Sequence, residues 1–108
     1  MRVEVLPEAQ AELLRAALWY EEQRGALGEE FVVAVSTAFD RISEAAESYP
    51  TWPGTSATPV AIRKAVLQRF PYLIAFEEHE RYVLVLAIAH AKRRPLYWLT
   101  RSTGSSRT

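Results

Sequence analysis

Residues Tyr72-Leu-Ile-Ala-Phe-Glu-Glu-His-Glu-Arg-Tyr-Val-Leu-Val-Leu-Ala-Ile-Ala89 decide the architecture. Two β-rich runs, Tyr72 to Glu77 and Arg81 to Ala89, flank the polar stretch Glu77-Glu78-His79-Glu80, the pattern of a hairpin. Val83 to Ala89 is continuously apolar. A strand with one wet face would alternate, so this run reads as a central strand covered on both faces. His79 in the loop reads as a solvated side chain.

Working outward, Val60 to Leu67 is a further β-rich run with Arg63 and Lys64 at its middle. Before it, Tyr49 to Pro59 carries three prolines, Gly54 and Trp52, and reads as a loop returning to the sheet, with Trp52 capping the core. The first half is helical. From Glu8 to Gln23 the residues Leu13, Leu14, Ala17, Leu18 and Tyr20 recur at helical spacing and predict one buried stripe, with Trp19 at its edge. From Glu29 to Ser48, Phe31, Val35, Ala38, Phe39, Ile42, Ala45 and Ala46 share a second face. Gly25 and Gly28 lie between the two, so the helices should form an antiparallel hairpin. Arg2 to Leu6 alternates like a short strand, closed by Pro7. The sum is an α+β domain of order β-α-α-β-β-β. Its helical hairpin packs on one face of a small, mainly antiparallel sheet. One domain spans residues 1–101, with residues 102–108 expected as a disordered Ser/Thr/Gly tail; the conformation of 91–101 is left open.

Charge divides the chain. Residues 1–48 hold four arginines against ten acids, about −6, and residues 49–108 hold nine Lys/Arg against three acids, about +6. The exposed-face acids of the helices, Glu8, Glu12, Glu22, Glu30, Glu44 and Glu47, read as solubilising. There is no cysteine, which removes disulfides and thiolate metal sites, and two histidines alone cannot hold a metal. No cofactor is expected. The N-terminus lacks an apolar signal core and no run is long enough to span a bilayer, so a cytoplasmic protein without membrane contact is expected.

Four separated motifs carry a resemblance. Trp19-Tyr20-Glu21-Glu22-Gln23, Leu27-Gly28-Glu29-Glu30-Phe31, Arg69-Phe70-Pro71-Tyr72, and Val85 to His90 followed by Arg93-Arg94-Pro95-Leu96-Tyr97-Trp98 stand in this order over residues 1–101. They resemble the RelE/ParE superfamily of plasmid-stabilisation toxins. The resemblance implies a type II toxin, a cognate antitoxin partner bearing an acidic or amphipathic segment, and a toxin–antitoxin hetero-oligomer. Two targets follow from it: DNA gyrase, blocked by binding as in ParE-like members, or messenger RNA cut in the ribosome, as in RelE-like members. A third possibility is a solitary, non-toxic relative that acts as a binding module.

The residues discriminate between these. Under the RelE-like alternative, Arg63, Lys64, His90, Arg93, Arg94 and Tyr97 would be the catalytic set. Leu73, however, stands where that pattern places an arginine, and an apolar side chain cannot hold a phosphate. Zero net charge also suits ribosomal RNA poorly. His90 could serve as a general base, or could simply fix the adjoining turn. Lys92, Arg93, Arg94, Tyr97, Trp98 and Arg101 form a basic, aromatic segment with no acid nearby in sequence, suited to target or antitoxin contact. The expected reading is ParE-like inhibition of gyrase, with the antitoxin's C-terminal region covering this segment.

Overall fold

Strand β4 (Tyr82–His90) lies inside a four-stranded sheet and organises it. In the computed structural model, which describes residues 1–103, β1 (Arg2–Val5) precedes helices α1 (Pro7–Gln23) and α2 (Leu27–Ala45). A 3-10 turn (Ala46–Ser48), strands β2 (Ile62–Val66), β3 (Tyr72–Glu78) and β4, and a last 3-10 turn (Leu99–Arg101) follow. The sheet order is β1-β4-β3-β2; β1 runs parallel to β4 and the other pairs are antiparallel. The parallel pair is possible because β1 and β4 are far apart along the chain, with α1, α2, β2 and β3 all between them. Pairing steps from Ala75–Ala87 to Phe76–Val85, so Leu86 has no opposite residue and forms a bulge.

Both faces of β4 are covered, as its apolar run requires. On one face Ala9, Leu13 and Ala16 of α1 and Phe31, Val35 and Ile42 of α2 pack against Ile74, Phe76, Val83, Val85 and Ile88. On the other, Ile62, Ala75, Leu86, Ala87 and Ala89 lie under Trp98, with Trp52, Leu96 and Leu99 half-buried around it. Trp52 and Trp98 meet edge to face at 4.9 Å, so the Pro-rich loop and the C-terminal segment jointly roof this face. The loop also pairs with the outer edge of β2: Trp52 N–H donates to Ile62 C=O, and Lys64 N–H to Pro50 C=O.

The buried stripe of α1 differs from the expected one. Leu13 is buried, but Leu14 and Leu18 are exposed, and the stripe continues through Ala9, Glu12 and Ala16. Small residues there let α1 approach the sheet, and the leucines rotate outward. Expected as tail, Ser102 and Thr103 are instead bound to Glu77: Ser102 is fully buried, and its hydroxyl donates to the carboxylate at 2.6 Å. Residues 104–108 of that expected tail lie outside the described residues. Among the described residues no helix is long and apolar enough to cross a membrane.

Where the helices turn, Ala26 adopts a left-handed backbone (φ 73°) and Glu21 caps α2, accepting Ala26 N–H and Gly28 N–H at 3.0 Å each. A Cβ on Gly28 would lie 2.5 Å from the Ala17 carbonyl oxygen, so only glycine permits this crossing. Gly28→Ala should therefore cost about 1–3 kcal/mol in urea unfolding. Gly25→Ala, whose Cβ meets nothing within 4 Å, should stay within about 0.5 kcal/mol. Equal losses from the two would refute this account of the hairpin.

Candidate functional site: a clamped basic turn

Strand β1 stops at Val5, with Leu6 N–H donating to Val85 C=O, and Pro7 starts α1. Beyond Val85, β4 thus has no strand on that side among the described residues. Side chains replace it. Ile88 N–H donates to Oε1 of Glu12 on α1 at 3.0 Å, and Leu86 C=O accepts from Nη1 of Arg101 at 2.9 Å. Arg101 and Glu12 close the gap with a bidentate ion pair, Nη1 to Oε1 at 3.1 Å and Nη2 to Oε2 at 3.0 Å. Tyr97 completes the set, donating its hydroxyl to Glu12 Oε2 at 2.7 Å.

The Glu12 side chain is 4% exposed and that of Arg101 18%. A buried carboxylate is tolerated only when every lone pair is used, and here four donors use them. Glu12, expected on a solubilising outer face, is the hub of the site. Its register gives it away in retrospect: Ala9, Glu12, Leu13 and Ala16 fall at i, i+3, i+4 and i+7.

The clamp fixes the chemistry of its members. Burial is the main cause that pushes the Tyr97 hydroxyl well above the ordinary tyrosine range; the hydrogen bond to Glu12 and its charge add to this. The Arg93 and Arg101 guanidiniums, 3.8 Å and 5.3 Å from the Tyr97 ring centroid, oppose it only in part. Arg93 Nη1 lies 3.5 Å from Glu12 Oε2, yet its side chain remains 52% exposed. An acid does therefore neutralise part of the basic run, contributed by α1 rather than by sequence neighbours.

Of the expected site residues, Lys64, His90, Arg93, Arg94, Tyr97 and Trp98 line one cleft of about 180 Å³. Leu73 and Trp52 are in its wall, and Lys64 Nζ sits 5.7 Å from the Trp52 ring centroid. His90 fixes the turn, as its Nδ1 accepts Lys92 N–H at 3.0 Å; that nitrogen is bare and the ring proton is on Nε2. Lys92 itself is exposed.

Three candidates depart from expectation. Arg63 neighbours Lys64 in β2 and points to the other face, where it pairs with Glu78 at 2.8 Å and donates to Tyr49 C=O at 2.6 Å. Trp98 is 1% exposed and belongs to the core, so no partner can reach it without unfolding the segment. Arg101 turns inward, its guanidinium bonded to Glu12 and to Leu86 C=O.

A second buried carboxylate, Glu77, lies near the end of β3, which runs one residue past the expected strand end to Glu78. It accepts from Ser102 and from Thr103 N–H (2.8 Å) and is bonded to His79 Nε2 (2.9 Å). His79 is thus not simply solvated; its ring also stacks on Tyr82 at 4.5 Å.

The model of the family described as the ParE toxin of the type II toxin-antitoxin system, parDE, matches residues 3–95. The chain belongs to the ParE toxin family. A solved structure described as the chromosomal ParDE TA system from P. aeruginosa has the same fold, with a TM-score of 0.61 at 20% identity over 85% of this chain and 97% of that chain. No curated protein matches the chain. The ParE family match ends at Pro95, so Tyr97 and Arg101, which lock the C-terminal segment to Glu12, lie beyond it.

Two measurements test the clamp. Glu12→Ala leaves Ile88 N–H, Arg101 and Tyr97 without their acceptor and should cost about 3–5 kcal/mol in urea unfolding. Glu12→Gln keeps an acceptor oxygen and should cost less; a loss below about 1 kcal/mol for Glu12→Ala would remove the clamp from this account. The raised Tyr97 pKa has a sign. Above about pH 10 the unfolded chain sheds phenolic protons that the folded chain keeps, so stability falls as pH rises. Tyr97→Phe should flatten that alkaline loss in denaturation midpoints taken between neutral and alkaline pH.

Proposed function

We propose that this ParE-family toxin acts by binding, with DNA gyrase as its target. A cognate antitoxin holds it inactive by laying its C-terminal region over Lys92, Arg93, Arg94 and Tyr97. One observation carries the choice of binding over catalysis: the proton and the lone pair that acid–base chemistry needs are both committed within the protein. Tyr97 donates to Glu12, and His90 Nδ1 accepts from Lys92 N–H. RNA cleavage by 2′-hydroxyl attack requires a base, an acid and cations around the phosphorane. Arg63 is paired on the far face, and Leu73 in the cleft wall offers no charge. The exposed Arg93 and Arg94, held on a rigid turn, suit an acidic contact instead.

The gathering of Lys64, His90, Arg93, Arg94 and Tyr97 around one cleft favours the second reading, a RelE-like endoribonuclease. The two readings separate on expression of the chain without antitoxin. The expected result is an induced DNA-damage response with intact transcripts, together with loss of plasmid supercoiling by purified gyrase when the chain is added. Transcripts cut only during translation would establish the nuclease. Unaffected growth would leave a non-toxic binding module. Charge reversal at both Arg93 and Arg94 should weaken the antitoxin complex, and an unchanged complex would refute the placement of the antitoxin.

A further inference from the structure

Trp19 is 55% exposed on α1, although its sequence context suggested packing at the edge of the core. It is not loosely held. Its ring sits edge-on to Tyr20 at 5.1 Å, and Tyr20 is wedged among Phe31, Phe70 and Tyr72 at 5.0–6.2 Å. Trp19 forms one wall of a cleft of about 260 Å³ whose floor is Ala16 and Ile88 and whose other walls include Tyr72, Arg15 and Arg93. Glu12 also reaches this cleft, but its oxygens are already taken by Arg101, Tyr97 and Ile88 N–H. Arg15 is exposed and has no ion pair among the described residues.

We propose that this cleft receives an acidic side chain of an extended partner segment. The carboxylate would lie between the Arg15 and Arg93 guanidiniums, and its apolar neighbour would lie against Trp19. The contact surface thereby extends from the basic turn onto α1. The proposal rests on the reading of the chain as an antitoxin-bound toxin and names the chemistry of the segment it binds. An exposed tryptophan sharing one cleft with two arginines has the composition of a binding hot spot, and a carboxylate shared by two guanidiniums is a charge-assisted pair. Arg93 lines this cleft and the one beside His90, so one extended chain can occupy both.

Charge selects a peptide over a nucleic acid. Glu8 and Glu22 lie seven residues either side of Arg15, on the same row of α1, and both are exposed. A strand with a phosphate at every nucleotide would meet those acids. A peptide places one carboxylate between the arginines and a neutral residue elsewhere.

The test uses the antitoxin encoded beside this chain, purified at full length, and titration calorimetry against Trp19→Ala, Arg15→Glu, the double variant with both Arg93 and Arg94 changed to Glu, and the exposed α2 control Arg41→Glu. Thermal melts confirm that each variant is folded. Trp19→Ala and Arg15→Glu should each weaken binding about tenfold or more. Arg41→Glu should not. In the wild-type complex, the acrylamide quenching assigned to Trp19 by difference from Trp19→Phe should be lost. If only the double Arg93/Arg94 variant weakens binding, the Trp19 cleft is refuted while the proposed function stands. A wild-type chain that binds no antitoxin refutes both. Preferential binding of a single-stranded oligonucleotide, lost in Trp19→Ala, would assign the cleft to nucleic acid and overturn the peptide.

Discussion

The structure depends on backbone groups of β4 that no strand can reach. Strand β1 has four residues and β4 nine, so half of one β4 edge is left open beside helix α1. A buried, unpaired N–H or C=O costs on the order of 1–3 kcal/mol, enough to weigh heavily in a domain of this size. The chain answers with side chains. Glu12 takes the N–H of Ile88, Arg101 takes the C=O of Leu86, and each neutralises the other. Because Arg101 lies near the C-terminus and Glu12 near the start, this pair draws the ends of the domain together across β4. The basic turn at 92–94 lies between β4 and Tyr97 and is held by Lys92 N–H on His90 Nδ1 and Arg93 N–H on His90 C=O.

A second set of contacts joins the hairpin to the sheet. Tyr20 from α1, Phe31 from α2, Phe70 from the turn before β3 and Tyr72 at its start form one aromatic cluster with centroids 5.0–6.2 Å apart. Three of the four sequence motifs that resembled the family meet here. Their spacing along the chain has no local meaning; it reflects four rings that must reach one point. Trp19 stands on the rim of that cluster, which explains how an exposed ring can be held in place.

The layering of the fold was legible because it rests on periodicity. The continuous run Val83 to Ala89 demanded two covers, and Phe31, Val35 and Ile42 had to face the sheet. What escaped was polar and long-range. Glu12 and Glu77 are acids on buried faces, and hydropathy counts an acid as exposed. Their partners lie 85 and 25 residues away, at Tyr97 and Ser102, where no local pattern reaches. The same blindness moved Trp98 and Arg101 into the contact surface. Their basic and aromatic neighbours suggested an exposed patch, whereas Trp98 roofs a sheet face that the helices cannot cover. Leu14 and Leu18 failed in the opposite sense, being apolar yet turned outward because Ala9, Glu12 and Ala16 take the inner stripe.

These differences bear on function, because they divide the basic segment into an inward-facing and an outward-facing half. Tyr97, Trp98 and Arg101 face inward and secure the segment; Lys92, Arg93 and Arg94 face outward on the turn it secures. Arg93 sits at the boundary. It stacks on Tyr97 and touches Glu12 at 3.5 Å, but Arg101, at 3.0 Å, holds the better geometry. Arg93 is thereby oriented by Glu12 and only partly compensated by it, since Arg101 holds the closer pair. An ordered guanidinium on a rigid turn loses little side-chain entropy when a carboxylate arrives, which favours tight association over turnover. The rigidity that would benefit a binding surface is obtained here by using up the tyrosine proton and the histidine lone pair. The bonds that order the turn for the proposed contact are the ones that occupy the groups catalysis would need.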